Sequence, residues 1–274
     1  MSQNARSALF VPGDRPERFV KALASGADYI IIDLEDAVDE QFKSQARQNI
    51  LEFSQAHPQA NILVRINAAD HPQHDPDIAM CKTCTNIVGI LLPKAETTEQ
   101  LAHTAQAGKA IWPIVESARG LTAIANLAQA ANIARMCLGT VDLALDLNLE
   151  DGSAAETILD QARYTMLLHS RANSLGAPLD GVFVALDDHE GLACAAQRSK
   201  AMGFAGMLCL HPKQVPVIHK AWEPTADALA WARKVLVAAE SSENGAFRLD
   251  GQMIDAPILA RARKLISLAE HSAS

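Results

Sequence analysis

The stretch IVGILLPKAETTEQLAHTAQAGKAIWPIV, residues 87–115, decides the fold class of this chain. It opens with the apolar, partly β-branched run Ile87–Leu92, continues into the amphipathic segment Thr98–Ala107, and closes with a second apolar run, Ala110–Val115. Short apolar runs predict buried strands, and the segment between them has the periodicity of a helix. The stretch therefore predicts one parallel βαβ unit.

The same alternation continues on both sides of this unit. Further strands are predicted at Ser7–Val11, Tyr29–Leu34, Ile62–Ile66, Ile133–Gly139, Gly181–Ala185 and Gly206–Leu210. Further helices are predicted at Glu17–Ala24, Gln41–Gln55, Leu121–Ala131, Ala154–Ser174 and His189–Met202. An open, doubly wound sheet would alternate in a similar way, but no GxGxxG motif follows any strand. Eight successive units favour closure into an α/β (β/α)8 TIM barrel, a fold of about 250 residues.

The pattern changes after the eighth strand. A long helix is predicted at Thr225–Ser242, then a polar stretch at Glu243–Gly251, then a last helix at Pro257–Ala269. We interpret residues 1–222 as a barrel catalytic domain and residues 223–274 as a C-terminal helical extension. Such an extension is simple packing, a lid, or an arm that reaches a neighbouring subunit.

Composition excludes several classes of protein. The net charge of −8 argues against a broadly basic nucleic-acid-binding face, although Arg6, Arg15, Arg18 and Lys21 form a local cluster suited to a phosphorylated ligand. We expect a cytoplasmic protein without membrane partners, because no run approaches the ~18 apolar residues of a membrane helix and the N-terminal residues do not resemble a signal peptide. Among five cysteines, only Cys81 and Cys84 make a CxxC, without a second pair, so we interpret all five as reduced core residues.

Charged residues follow the predicted strands, where barrel enzymes build their active sites. Carboxylates from different strands repel one another at a barrel mouth unless protons or a cation neutralise them, and oxygen ligands select magnesium, manganese or calcium over zinc. Magnesium needs few carboxylates, so Glu116 and Asp142 would suffice as its ligands. The alternative is that these acids are solvated loop residues. The full set at the strand ends is Asp33, Glu35, Asp36, Arg65, Asn67, Lys94, Glu96, Glu116, Asp142 and His211.

Two of these residues have specific alternatives. Arg65 continues an apolar strand, so it must be paired or face the mouth. It is a candidate clamp for a substrate carboxylate, or it forms a salt bridge with the acids after the second strand. His211 stands before Pro212, and we favour a structural role over a catalytic one. The sequence assigns no role to Asp33, Glu35, Asp36 or Lys94.

The chain resembles the HpcH/HpaI aldolase and citrate lyase β-subunit family, in its acyl-CoA lyase branch, nearly from end to end. Each matching motif stands at the end of its expected strand or in the tail. The motifs are Leu9-Phe10-Val11-Pro12-Gly13-Asp14-Arg15-Pro16, Asp33-Leu34-Glu35-Asp36-Ala37-Val38, Val64-Arg65-Ile66-Asn67, Leu92-Pro93-Lys94-Ala95-Glu96, Val115-Glu116-Ser117-Ala118-Arg119-Gly120, Gly139-Thr140-Val141-Asp142-Leu143, Leu210-His211-Pro212 and Gly251-Gln252-Met253-Ile254-Asp255-Ala256-Pro257.

The resemblance implies a role for several of these residues. It implies a magnesium ion (Mg2+) held by Glu116 and Asp142, with Glu116 also at the substrate, and Arg65 on the keto-acid part. It implies that Asp255 enters the site of an adjacent subunit as the catalytic acid/base, in a homo-oligomer that is a trimer or hexamer. The coenzyme A (CoA) thioester side would be lined by Phe10, Arg15 and Lys21.

The activity that the resemblance implies is a retro-Claisen cleavage. The substrate would be a 3-hydroxy-acyl-CoA of the citramalyl-CoA, malyl-CoA or citryl-CoA type, and the products acetyl-CoA and a 2-keto acid. Three alternatives remain open: a citrate lyase β subunit acting on an acyl-carrier protein thioester, a class II pyruvate aldolase that does not use CoA, and a non-catalytic CoA-binding subunit.

Overall fold

The computed structural model describes residues 5–240 and 246–272, and the first of these ranges contains a closed barrel of eight parallel strands in sequential order. Strand β1 pairs with both β2 and β8, which closes the barrel and confirms the predicted (β/α)8 fold. The strands are β1 Ser7–Pro12, β2 Tyr29–Asp33, β3 Ile62–Arg65, β4 Ile87–Leu92, β5 Ala110–Val115, β6 Arg135–Leu138, β7 Gly176–Asp180 and β8 Gly206–Cys209.

Helices connect successive strands, and the chain divides into two compact units, Met1–Ala221 and Trp222–Ser274. The sequence placed that boundary after residue 222. No helix in the two described ranges is both long and apolar enough to span a membrane. The helices are α1 Phe19–Leu23, α2 Lys43–Ala56, α3 His74–Thr83, α4 Thr98–Thr104, α5 Ala118–Leu127, α6 Thr140–Asp146, α7 Ser153–Ala172, α8 His189–Ala201, α9 Gln214–Trp222, α10 Ala226–Glu240 and α11 Ala256–Ser272.

Apolar side chains from all around the barrel fill its interior. Ile31, Leu63, Leu91, Ile114 and Leu208 belong to one buried cluster. Side chains alternate between the two faces of a strand, so filling the interior with these residues fixes the register of each strand. A fixed register in turn determines which residue stands at each strand end.

The seventh strand differs from its prediction. Strand β7 is Gly176–Asp180, and the predicted Gly181–Ala185 lies in the loop that follows it. The segment Val182–Ala185 has strand-like composition, but Val184 is 63% exposed, whereas Leu179 is fully buried. Gly, Ala and Pro are poor strand formers, so pairing with β6 and β8 selects the strand here rather than local preference.

The second unit also differs in part from its prediction. Helices α10 and α11 are present, and between them Phe247–Leu249 (β9) pairs antiparallel with Gln252–Ile254 (β10). The polar composition of the predicted Glu243–Gly251 stretch does not indicate this hairpin, and residues 243–245 lie outside the described residues. The core of this unit is a cluster of Ala232, Val235, Ile254 and Ala262. Helices α3, α6 and α9 were not predicted either.

Candidate active site

Charged residues from five strands meet at the mouth of the barrel, the end formed by the C-terminal ends of β1–β8. Asp33 ends β2 and Arg65 ends β3, and the two residues are partners in the strand register. Lys94 follows β4, Glu116 follows β5, and Asp142 lies in the first turn of α6, which follows β6. Parallel closure therefore produces the cluster that the sequence predicted at the strand ends.

Three acids and one aromatic ring surround Arg65, and Asp36 is the most distant of the acids at 3.8 Å. Its Nε and Nη2 donate to the two carboxylate oxygens of Asp33 at 2.7 and 2.5 Å. Its Nη1 lies 2.7 Å from Oε2 of Glu35, an ion pair without hydrogen-bond alignment, and the Phe10 ring lies 4.9 Å from the guanidinium carbon. Burial opposes the charge, but the acids outweigh it and raise the pKa of Arg65. The predicted salt bridge is therefore present, and Arg65 is a cation at neutral pH.

Lys94 links two acids of the mouth through both its backbone and its side chain. Its φ of +49° is left-handed, a conformation that costs a non-glycine residue about 1 kcal/mol. In this conformation its backbone N–H donates to Oε1 of Glu116 at 2.8 Å. Its Nζ donates to Oε1 of Glu35 at 2.7 Å. Strained backbone that aims a donor at an acid is typical of a functional site.

Glu116 is almost fully buried at this mouth, with 6% of its surface exposed. Burial raises the pKa of Glu116 to about 7. The hydrogen bond from the Lys94 backbone lowers this pKa, whereas the negative charges of Glu35 and Asp142 raise it. Space beside it depends on Gly139, because a Cβ there would lie 2.5 Å from both Cβ and Oε2 of Glu116. A buried carboxylate between other acids is stable as an anion only with a cation or extra donors beside it.

The donor set at this mouth suits a hard divalent cation. Oε1 of Glu116 accepts the Lys94 N–H, while within residues 5–240 and 246–272 Oε2 accepts no hydrogen bond. Asp142 lies close enough for its charge to raise the pKa of Glu116. The same ranges contain no metal-binding group of three or more His, Cys, Asp or Glu residues. Two carboxylates, with the other positions left to water or substrate oxygens, suit magnesium rather than zinc.

A buried lysine that the sequence reasoning missed fixes the loop after β2. Lys43 is 6% exposed, and its Nζ donates to the carbonyl oxygens of Leu34 and Glu35, both at 2.9 Å. Its burial could have been predicted from helical spacing, because Lys43 lies three residues before Ala46 and seven before Ile50, on the same buried face of α2. A lysine on such a face needs buried acceptors, and loop carbonyls supply them here.

A second missed network fixes the residues just after Arg65. The backbone N–H and side-chain Nδ2 of Asn67 donate to Oδ2 of Asp77 at 2.9 and 2.6 Å. Arg47 donates to the other oxygen of Asp77 at 3.0 Å, and His74 bonds the Asn67 carbonyl through Nδ1 at 2.8 Å. Helix α3 therefore sets the end of β3. Helix α3 was not predicted from the sequence, so the positions of these partners were not predictable either.

The predicted basic cluster does not stay together. Arg6 precedes β1 and pairs with Asp28 at 3.0 Å, whereas Arg15 follows β1. Six residues of strand separate the two by about 20 Å. Arg15 is exposed just after the mouth end of β1, and Lys21 is exposed on α1. Nε of Arg15 lies 3.7 Å from a carboxylate oxygen of Asp14. The prediction of a four-residue cluster was therefore wrong for Arg6.

Two further candidates have local structural partners. His211 accepts the N–H of Lys213 through Nδ1 at 3.1 Å, and its carbonyl accepts the N–H of Gln214 at 3.0 Å, which stabilises the turn after β8. In the second unit, Asp255 stands before α11, and its Oδ1 accepts the N–H of Ile258 at 3.3 Å. Asp255 therefore caps the last helix.

The chain is similar to known proteins over nearly its whole length. It is 39% identical over 271 residues to a citrate lyase subunit beta-like protein of Mycobacterium tuberculosis (strain CDC 1551 / Oshkosh), covering 97% of this chain and 96% of that protein. It is 30% identical over 303 residues to an L-malyl-CoA/beta-methylmalyl-CoA lyase of Rhodobacter capsulatus, covering 97% and 94%.

A solved structure agrees with this similarity. The CitE protein of Mycobacterium tuberculosis in complex with magnesium, acetoacetate and coenzyme A superposes with a TM-score of 0.86 at 35% identity, covering 97% of this chain and 98% of that one. The model of one family, HpcH/HpaI aldolase/citrate lyase, matches residues 6–212, which include all the charged residues at the barrel mouth. These matches and the closed barrel show that this chain belongs to the HpcH/HpaI aldolase/citrate lyase family of lyases.

Proposed function

We propose that this chain is a magnesium-dependent carbon–carbon lyase that cleaves a 3-hydroxy-acyl-CoA to acetyl-CoA and a 2-keto acid. The observation that carries the proposal is the juxtaposition of two interacting carboxylates, Glu116 and Asp142, with the buried cation Arg65 at one barrel mouth. Similarity to a malyl-CoA lyase and to a protein solved with magnesium, acetoacetate and coenzyme A supports the same chemistry.

The proposed reaction is a retro-Claisen cleavage. The bond breaks between the hydroxyl-bearing carbon and the α-carbon of the thioester. The hydroxyl group loses its proton and becomes the carbonyl of the 2-keto acid, while the bonding electrons move to the thioester α-carbon as an enolate. That carbon gains a proton to give acetyl-CoA, so the proton count is unchanged. When bound, magnesium would stabilise the negative charge that develops on the oxygen.

Residues of the chain would supply the remaining functions at the mouth. Glu116 and Asp142 would hold the cation, and Glu116 would also stand at the substrate. Arg65 would bind the substrate carboxylate, because a guanidinium matches a carboxylate with paired donors. Asp33 already fixes the orientation of that guanidinium through two hydrogen bonds. Arg65 would therefore lose little conformational entropy when the substrate binds.

The thioester side would lie along β1 and α1. Phe10 is in contact with Arg65, and the exposed Arg15 and Lys21 are suited to the phosphates of CoA. Asp255 would supply the proton to the enolate carbon from an adjacent subunit, in a homo-oligomer that we propose is a trimer or hexamer.

Among substrates we place citramalyl-CoA first, then malyl-CoA and citryl-CoA. The name of the mycobacterial relative favours one other candidate, a citrate lyase β subunit acting on an acyl-carrier protein thioester. A CoA-independent class II pyruvate aldolase and a non-catalytic CoA-binding subunit are the remaining alternatives.

Offering the three thioesters separately to purified protein with magnesium chloride distinguishes these functions. The assay follows the 2-keto acid by coupled reduction, because this product reports carbon–carbon cleavage, whereas free CoA would report thioester hydrolysis. We expect turnover of at least one thioester, its loss with EDTA, and its return with excess magnesium. Turnover only with citrate and an acyl-carrier subunit would establish the citrate lyase alternative. Binding of CoA thioesters without cleavage would establish the non-catalytic one.

Removing either proposed metal ligand tests the site itself. Glu116→Ala and Asp142→Ala should each lower kcat/KM by more than about a hundredfold, since both acids would be needed to hold the cation. Asp151→Ala removes an exposed acid that follows α6 in the sequence and should leave kcat/KM unchanged. If both ligand variants retain magnesium-dependent turnover while remaining folded by circular dichroism, the assignment is wrong.

A further inference from the structure

The two acids proposed to hold the cation follow neighbouring strands, Glu116 directly after β5 and Asp142 in the first turn of α6 after β6. Helix α6 carries Asp142 in its first turn and Asp146 at its last residue. Residues four apart lie on the same side of a helix, one turn from each other. Asp146 therefore stands one turn beyond Asp142, and its carboxylate reaches back to the β5 loop.

That contact is a single, well-defined hydrogen bond. Oδ2 of Asp146 accepts the backbone N–H of Ala118 at 2.7 Å. Ala118 is the first residue of α5 and lies two residues after Glu116. An N–H in the first turn has no acceptor within its own helix, and a carboxylate there is also favoured by the helix dipole. Asp146 thus attaches α6 to the segment that carries Glu116.

A backbone contact joins the same two loops at their other end. The N–H of Gly139 donates to the carbonyl of Val115 at 3.0 Å. Next to it, the missing side chain of Gly139 leaves the space that Glu116 occupies. The loops are therefore joined at two points, by backbone at the base and by the Asp146 side chain one helical turn further on. Two points of attachment restrict rotation that one point would permit.

We propose that Asp146 is a positioning residue that sets the spacing of Glu116 and Asp142 for a divalent cation. The inference rests on the proposed function, because it takes these two acids as the ligands. Asp146 is exposed, so its replacement leaves no cavity in the core. Residues that orient metal ligands typically change metal affinity by 10- to 100-fold when they are removed, and one exposed bond belongs at the lower end of that range.

Two substitutions break the bond from opposite sides. Asp146→Ala removes the acceptor, and Ala118→Pro removes the donor, its ring displacing only the exposed side chain of Asp146 from the nitrogen. Proline is favoured at the first position of a helix. The preceding Ser117 has φ −137° and ψ 160°, the extended conformation that a residue before proline prefers. Ala118→Pro should therefore fold and keep α5.

The measurement is the Kd of Mn2+, read from the electron paramagnetic resonance signal of the free ion, on the full-length protein without substrate. We expect Asp146→Ala and Ala118→Pro each to raise Kd about tenfold, and the double variant to raise it no further, since both remove the same bond. Asp146→Asn keeps an acceptor oxygen and should recover most of the affinity. Asp151→Ala should bind as the wild type does, because it removes only an exposed charge.

The results distinguish failure of the proposed metal site from failure of the role of Asp146. If wild-type protein binds no Mn2+, the proposed function and this inference both fall. If the wild type binds but both single variants bind equally well, the ligands stand and the role of Asp146 is overturned. If the two single variants add in the double variant, they act through different contacts, and the positioning role is again overturned.

Discussion

Arg65 shows why an arginine rather than a lysine ends β3. Its guanidinium presents donors on several edges at once, and Asp33 takes two of them in the plane of the group. Glu35 lies close to Nη1 but is not aligned to accept a hydrogen bond from it. The N–H donors of Nη1 could therefore bind a substrate carboxylate. A lysine would offer one ammonium group and could not satisfy Asp33 in this way while also binding a second carboxylate in a fixed plane.

Arg65→Lys should therefore keep the positive charge but lose the paired, coplanar N–H donors of the guanidinium. We expect kcat/KM to fall by about 30- to 100-fold, which corresponds to 2–3 kcal/mol for lost charge-assisted hydrogen bonds. The measurement is steady-state kinetics on whichever thioester the wild type cleaves, with the melting temperature measured alongside. Arg171→Lys, an exposed arginine on α7, is the matched control. Equal kcat/KM for Arg65→Lys and wild type would mean that Arg65 has only a structural role.

At the scale of elements, α7 and the end of β7 are joined by a buried ion pair. Nε of Arg163 donates to the two carboxylate oxygens of Asp180 at 3.1 and 2.9 Å, and both residues are more than 90% buried. Oδ1 of Asp180 also accepts the N–H of Gly181. Gly181 in turn packs against Thr140, where a Cβ would lie 2.2 Å from Oγ1. The pair therefore holds β7 beside the first turn of α6, which carries Asp142.

Asp180→Ala should destabilise the protein by about 3 kcal/mol, since it leaves a buried guanidinium with less compensation. This loss of stability is at the low end for buried ion pairs, because Asp160 and Glu156 would still compensate the charge of Arg163. They lie 2.9 and 3.2 Å from its Nη1. Urea unfolding gives the free energy of unfolding. Asp187→Ala, an exposed acid in the same loop, should change stability by less than about 0.5 kcal/mol. If the two variants prove equally stable, the pair contributes nothing.

Elements and site residues differed in how far the sequence could predict them. Alternating apolar runs predicted the barrel, and the rule that parallel strands end at one mouth predicted the meeting of Arg65, Glu116 and Asp142. The position of β7 was not predictable in this way, because pairing on both sides overrides its local preferences. Lys43 and Asp146 were missed because their roles depend on hydrogen bonds to backbone groups of distant segments, which no periodicity reports.

At the scale of the whole molecule, the chain consists of a barrel unit and a small helical unit with its own core. Met253 is 73% exposed in the hairpin of the second unit, next to the buried Ile254 and two residues before Asp255. If this segment enters a neighbouring subunit, Met253 would be covered there together with Asp255. The cap that Asp255 forms on α11 accounts for its position within the unit, so only a functional test separates capping from catalysis.

Asp255→Asn makes that separation, because asparagine caps a helix about as well as aspartate but does not exchange a proton. If Asp255 is the proposed acid, this variant should keep the wild-type melting temperature and Mn2+ affinity and lose turnover by more than about a hundredfold. If Asp255 is only a cap, turnover should stay close to that of the wild type. The melting temperature is measured by circular dichroism and turnover by release of the 2-keto acid.

Mixing two inactive variants tests whether the acid comes from a neighbouring subunit. Asp255→Asn retains the metal ligands, and Glu116→Ala retains the acid, so in a mixed oligomer some sites combine an intact metal site with an intact acid. Under conditions where differently tagged subunits are shown to exchange, a fraction of wild-type activity should return. Mixing Asp255→Asn with itself under the same conditions is the control and should recover none. Proven exchange without any recovery would rule out a role for Asp255 across subunits.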